Sequence, residues 1–103
     1  MLGKVEELIL LSLLKVGPDA MAAKVFEHIA DNSAANLAFG TVFTTLDRLV
    51  EKGLAIRAIA APTAESRGRT RSVYKISASG GTALSNSLKV TASLVGNLEL
   101  NLA

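Results

Sequence analysis

A chain of 103 residues, half of them apolar and with a formal net charge of +2, suffices for one small domain with a modest core. A domain of this size buries a smaller share of its surface than a larger one, which favours self-association. The absence of cysteine excludes a disulfide frame, a thiolate zinc site and a thiol nucleophile, and a single histidine with no Gly-rich phosphate loop or Ser-His-Asp set leaves no catalytic or metal-binding constellation. Neither enzyme activity nor a cofactor is expected.

Leu2 to Val16 reads as a first helix, apolar on more than one side through Leu8, Ile9, Leu10, Leu11, Leu13 and Leu14. Such a helix has two partners: the core of its own domain and a second surface, read here as another subunit met by Leu10 and Leu14. Its apolar run from Leu8 to Leu14 is broken by Ser12, closed by Lys15 and preceded by Glu6 and Glu7. That is too short and wrongly flanked for a membrane span or a secretory signal, so a cytoplasmic protein without membrane attachment is expected. Gly17-Pro18-Asp19 ends the helix.

Ala20 to Ala30 forms a second helix, with Ala22, Val25, Phe26 and Ile29 as its core stripe. His28 falls among Lys24, Glu27 and Asp31 and is expected on the surface, since no second His or Cys offers it a metal partner. Asp31-Asn32-Ser33 breaks this helix and leads to the segment that organises the chain, Phe39 to Gly53. Read at 100° per residue, Val42, Phe43, Leu46, Leu49 and Val50 fall within one arc of about 120°, the stripe of a helix seated on a core. Thr41, Thr44, Thr45, Arg48 and Lys52 occupy the polar face, with Asp47 and Glu51 expected to be rotated away, and Gly53 supplies a C-terminal cap. Short hydroxyls and cations backed by a buried stripe are what a helix needs to lie in the DNA major groove.

After Gly53 the period changes. Leu54 to Ala60 and Ser72 to Ile76 read as two strands of a hairpin, joined by the polar, aperiodic tip Pro62 to Arg71. Arg67, Arg69 and Arg71, at every second position around Gly68, suit a backbone or a narrow minor groove. Ser77 or Ser79 then caps a last helix in which Leu84, Leu88, Thr91, Val95, Leu98 and Leu102 are spaced by 4, 3, 4, 3 and 4 residues. This is the period of a coiled-coil seam, weakened by Gly96 in its interior. Pairing across subunits, packing on the first helix, or both, satisfy the seam.

The net charge hides an asymmetry. From Arg48 to Lys75 seven basic residues face only Glu51 and Glu65, a net +5, whereas the residues before Arg48 carry three cations and six anions, a net −3. Positive charge is thus concentrated on the end of the third helix and the hairpin, the electrostatic footprint of a phosphate-binding surface. The order of elements predicts an α+β, mostly helical fold: a winged helix-turn-helix of three helices and a two-stranded basic wing over residues 1–78, then a dimerisation helix over 79–103 packed on the first helix.

At the level of residues the chain resembles the PadR family of bacterial transcriptional regulators. The likeness is carried by Leu2-Gly-Lys-Val-Glu-Glu-Leu-Ile-Leu-Leu11, by Gly40-Thr-Val-Phe-Thr-Thr-Leu-Asp-Arg-Leu-Val-Glu-Lys-Gly-Leu54, by Pro62-Thr63 with the arginine-rich tip, and by Val73-Tyr-Lys-Ile-Ser-Ala-Ser-Gly80. The resemblance implies a third helix that reads the major groove, a wing on the adjacent backbone or minor groove, and a last helix that pairs across a dimer with the first. It implies that Thr41, Thr44, Thr45 and Arg48 face bases or nearby phosphates and that Arg67, Arg69 and Arg71 form the wing contact. Three positions depart from the family pattern: Ala38 where a hydroxyl cap is frequent, Phe43 where Tyr is usual, and Ala20-Met21-Ala22 where the second helix commonly opens with Tyr-Gly.

The expected partners are double-stranded DNA and a second copy of the chain. The reading is a sequence-specific regulator, a repressor acting as a homodimer on a palindromic operator. Its DNA contacts are Thr41, Thr44, Thr45, Arg48, Lys52, Arg67, Arg69 and Arg71, and its subunit contacts are Leu10, Leu14, Leu84, Leu88, Val95 and Leu98. The alternative is a winged helix that binds proteins and leaves DNA alone; the +5 segment, which such an adaptor does not need, separates the two. The resemblance further implies a small-molecule effector at the dimer interface of some members, although no Trp and four aromatic residues supply little for a stacking pocket.

Overall fold

A computed structural model describes residues 1–64 and 67–97. Its elements in order are α1 (Lys4–Val16), α2 (Ala22–Asn32), α3 (Phe39–Glu51), β1 (Ala55–Ala60), β2 (Arg71–Ile76) and α4 (Ala78–Val95). Three helices followed by an antiparallel hairpin make a winged helix-turn-helix. The order and the type of every element match the sequence reading.

Local chemistry sets the helix ends. At the start of α1, Glu6 reaches back so that the Gly3 amide donates to its Oε1 at 3.0 Å, which satisfies one of the otherwise unpaired first-turn donors. The Gly17 amide donates to Leu13 O at 3.1 Å and closes the helix with φ +85°. At the end of α3, Gly53 takes φ +76° and donates to Val50 O at 3.0 Å, while the Leu54 amide donates to Leu49 O at 2.8 Å. This is a Schellman closure, and its left-handed residue favours glycine.

The apolar stripes of the helices meet in one core. Ile9, Leu10 and Leu13 of α1, Val25 and Ile29 of α2, Val42, Leu46 and Leu49 of α3, Tyr74 of β2 and Leu84 of α4 are all buried. The strands pair from Ala55 opposite Ile76 to Ala60 opposite Arg71, which places Arg57 directly opposite Tyr74. Ala20 adds a third backbone to the hairpin: its amide donates to Tyr74 O at 3.2 Å and its carbonyl accepts from the Tyr74 amide at 2.8 Å. The second helix accordingly starts at Ala22, because Ala20 is held extended by β2.

Three expectations about packing are corrected. Leu10 and Leu84, read as subunit contacts, are completely or almost completely buried in the core of a single chain, where they join α1 to α4. Phe43, placed on the buried stripe, is exposed, because α3 turns the arc from Val42 through Leu46 to Leu49 inward and leaves Phe43 at its edge. Gly96 does not interrupt α4 but ends it, with φ +54° and its amide donating to Ala92 O at 2.9 Å. Leu98 and Leu102, the last positions of the expected seam, lie outside the described residues.

The first turn of α4 is locked to the end of α3. Ser77 Oγ accepts from the Gly80 amide at 3.0 Å and donates to Gly53 O at 2.6 Å, and the Ser77 amide donates to Leu54 O at 3.1 Å. One hydroxyl thus caps α4 and fixes the turn that leads into the wing. Among the described residues no helix is long and apolar enough to cross a membrane.

Candidate nucleic-acid interface

The surface of α3 is set by its burial pattern. Val42, Thr45, Leu46 and Leu49 are buried, and Thr41, Phe43, Thr44 and Arg48 are exposed. Ala38, Gly40, Thr41, Thr44 and Arg48 ring a shallow depression of about 470 Å³ at the start of the helix, with Thr45 completing its lining. Thr45, expected on the open face, is only 6% exposed and so belongs to the wall of this depression rather than to its rim. No side chain caps the α3 N-terminus at Ala38, and its first turn carries no acidic residue. The positive end of the helix dipole therefore lies at the same end of α3 as Thr41, without a side-chain cap or a carboxylate to neutralise it. Phe39, at that end, meets Phe26 edge to face with ring centroids 5.6 Å apart, which fixes α3 on α2.

Asp47 and Glu51, expected to turn away, share the outer face with Thr44. Asp47 Oδ1 lies 3.9 Å from Arg57 Nη1 of β1, so the negative charge at the wing side of α3 has a cation beside it. At the opposite edge, Lys52 Nζ donates to Glu6 Oε2 at 2.6 Å. That hydrogen bond first, and the Gly3 amide second, hold the Glu6 carboxyl below the usual carboxylate range. Lys52 was expected to face DNA; the structure ties it to α1.

The wing presents its cations unequally. Arg67 and Arg69 are exposed at the tip, where Arg67 and Gly68 both take positive φ. Arg71 is half-buried in β2 and turns back toward α2, its Nη1 lying 3.9 Å from Met21 Sδ and its Nε buried without a hydrogen-bond partner. The three arginines therefore divide into two at the tip and one at the root.

No family model and no curated protein sequence matches the chain. Among solved structures, a PadR family transcription regulator from Clostridium difficile superposes with a TM-score of 0.73 over 93% of this chain and 94% of that one, at 22% identity. A PadR-like transcription factor from Bacteroides fragilis gives 0.71 over 91% and 88%, at 25% identity. The chain has the PadR fold. A transcriptional regulator from Clostridium thermocellum, at 15% identity, still covers 92% of both chains with a TM-score of 0.62.

In this PadR-type frame exposed apolar side chains lie on α3 and β1 (Phe39, Phe43, Ile56 and Ile59) and on α1 and α4. Leu14, Leu88, Val90, Leu94 and Val95 are exposed, Leu94 to 84%. Between the start of α1 and the middle of α4 a cavity of about 660 Å³ is lined by Leu2, Lys4, Glu6, Glu7, Ser87 and Val90 among others. The Glu7 carboxylate in its wall is 8% exposed and accepts from Ser87 Oγ at 2.6 Å, which pins α4 to α1.

Two further contacts escaped the sequence reading. His28, expected on the surface, is half-buried and lies with Nδ1 2.9 Å from Oγ of the buried Ser12. Ser12 is the one polar break in the apolar run of α1, and a polar residue inside such a run is itself the signal that a partner must reach it. Arg57 was counted in the +5 segment without a role. The register of the hairpin, which brings it opposite Tyr74 and beside Asp47, had no marker in the sequence.

Proposed function

We propose that this chain is a sequence-specific DNA-binding transcriptional regulator that works as a homodimer on a palindromic operator, and that it represses. The observation that carries the reading is the surface shared by α3 and the wing. Thr41 and Thr44 stand exposed in the first turns of α3 behind an uncapped N-terminus, Arg48 stands exposed in its last turn, and Arg67 and Arg69 stand exposed at the hairpin tip. A helix enters the major groove with its N-terminal residues toward base edges, and flanking arginines track phosphate. Arg48 is the base reader, since its guanidinium matches guanine O6 and N7. Thr41 and Thr44 supply shorter contacts, and Thr45 lines the depression behind them.

Dimer formation draws on Leu14, Leu88, Val90, Leu94 and Val95, an apolar surface that one chain leaves uncovered. Two-fold symmetry of the protein then calls for two half-sites about one helical turn apart, and a dimer seated across them blocks a promoter. An effector, in this reading, enters the cavity between α1 and α4, whose wall holds the Glu6–Lys52 link to α3.

The test is selection of bound duplexes from a random pool with the wild type and Arg48→Ala. The wild type should return a symmetric motif, and the variant should lose preference at one or two positions of each half-site, a good bidentate contact discriminating by about 1–3 kcal/mol. A pool without any motif, with no binding at low salt, favours the protein-binding adaptor instead.

A further inference from the structure

Three charged or polar groups from three different elements converge where α3 meets the wing. Asp47 is on the outer face of α3, Arg57 on β1 lies 3.9 Å from it, and Tyr74 on β2 is the cross-strand partner of Arg57. Tyr74 is 2% exposed and its hydroxyl is buried without a hydrogen-bond partner. Burial holds that hydroxyl above its ordinary pKa, the charge of Asp47 pushes in the same direction and Arg57 in the other, so both charges are felt at this one oxygen. The ion pair itself remains half in solvent, with side-chain exposures of 51% for Arg57 and 41% for Asp47.

A carboxylate on the groove-facing side of a DNA-binding helix is unfavourable by itself, because it faces the phosphates. Its partner gives it a use. An arginine on a strand has many rotamers to lose before it can serve a phosphate, and an anion within reach narrows them in advance. At 3.9 Å the pair orients the guanidinium without engaging its donors in a short hydrogen bond to the carboxylate.

We propose that Arg57 is a further phosphate ligand and that Asp47 is the positioning residue that aims it, so that the seam between α3 and the wing grips the backbone between the base-reading helix and the arginine tip. This rests on the DNA-binding reading above. It adds a contact inside the footprint and assigns a favourable role to a negative charge that otherwise opposes binding.

The test is binding of a fluorescent duplex across a salt series by the wild type, Arg57→Ala, Arg57→Lys, Asp47→Asn and the double variant Asp47→Asn/Arg57→Ala, each checked for folding by circular dichroism. Arg57→Ala should flatten the slope of log K against log salt by about 0.9, one phosphate contact on B-DNA, and Arg57→Lys should restore it because the charge releases the counterion. Asp47→Asn should weaken binding about threefold, the size of the coupling in an exposed pair, although it removes a negative charge. In the Arg57→Ala background the same change should strengthen binding. The sign reversal is the signature. Equal strengthening in both backgrounds reduces Asp47 to a repulsive surface charge, and an unchanged slope in Arg57→Ala removes Arg57 from the interface; either overturns the proposal while wild-type binding stands. Absence of wild-type binding at every salt concentration overturns the DNA reading and this inference together.

Discussion

Lys52 Nζ lies 2.6 Å from Glu6 Oε2, so the cation at the C-terminal cap of α3 is held by the first turn of α1. The two residues are distant in sequence, and both line the cavity between α1 and α4. Because Glu6 ionises more readily in the folded chain, its contribution is fully present above the unfolded carboxylate pKa, ordinarily about 4.3, and is lost as pH falls through the lower folded value. Glu6→Gln should lower stability by about 0.5–1 kcal/mol at neutral pH, since Lys52 is half in solvent. Urea unfolding of both proteins from pH 7 to pH 3 checks this: the gap should close toward the acid end, and a gap constant with pH would mean that the carboxylate charge contributes nothing.

Gly80 is the most tightly enclosed of the glycines. A Cβ there would stand 1.9 Å from Leu54 O and 2.9 Å from Ile76 Cγ1, and the first of these is backbone already engaged by the Ser77 amide. Gly80→Ala should therefore destabilise by about 2–3 kcal/mol, the upper range for overpacking, despite the better helix propensity of alanine. Gly81→Ala, with nothing within 4 Å of its Cβ, is the control and should be neutral or stabilising. Thermal unfolding of the two variants should place their midpoints on opposite sides of the wild type or nearly so.

The contrast between those glycines shows where sequence reading stops. Helix stripes were legible because burial repeats with the helical period: Val42, Leu46 and Leu49 were assigned to the core and are there. The cap at Gly53 and the stop at Gly17-Pro18 were legible because few residues tolerate such backbones. Residues at the edge of a stripe were not, and Phe43 and Thr45 exchanged places because a modest rotation of the helix about its axis separates a wall from a rim. Long-range polar pairs were illegible for a different reason. Glu6–Lys52, Glu7–Ser87, Ser12–His28 and Asp47–Arg57 join residues whose approach is decided by how elements cross and pack, and no periodicity encodes a crossing.

The last helix is divided by burial, and the division predicts two kinds of variant. Leu84 lies in the core, so Leu84→Ala should cost about 2–5 kcal/mol by leaving a cavity. Substituting Leu94, 84% exposed, should cost almost nothing in a single chain, and Leu94→Glu should instead shift a dimer toward monomer. Sedimentation at several concentrations separates the two effects. A monomeric wild type would remove the subunit role of this surface, and a Leu94→Glu dimer as tight as the wild type would move the interface elsewhere.

The wing arginines divide in the same manner, and their division can be read by salt. Arg67 and Arg69 are exposed at the tip, with no side-chain hydrogen bond or ion pair to the described residues, so their charges are available to phosphate. Arg71 packs its Nη1 against Met21 Sδ and buries Nε without a partner, so its stem joins the wing to α2. Each cation withdrawn from a phosphate of B-DNA flattens the slope of log K against log salt by about 0.9. Arg67→Ala with Arg69→Ala should therefore flatten the slope by up to twice that amount, weaken binding to all duplexes alike and leave the unfolding midpoint in place. Arg71→Ala should do the reverse, lowering the midpoint in urea while the slope stays near that of the wild type. If Arg71→Ala flattens the slope as much as either tip residue, the guanidinium leaves Met21 when DNA binds and the root of the wing is part of the interface after all; if the tip double variant keeps the wild-type slope, the hairpin is a solvated loop and phosphate binding must come from α3 and its neighbours.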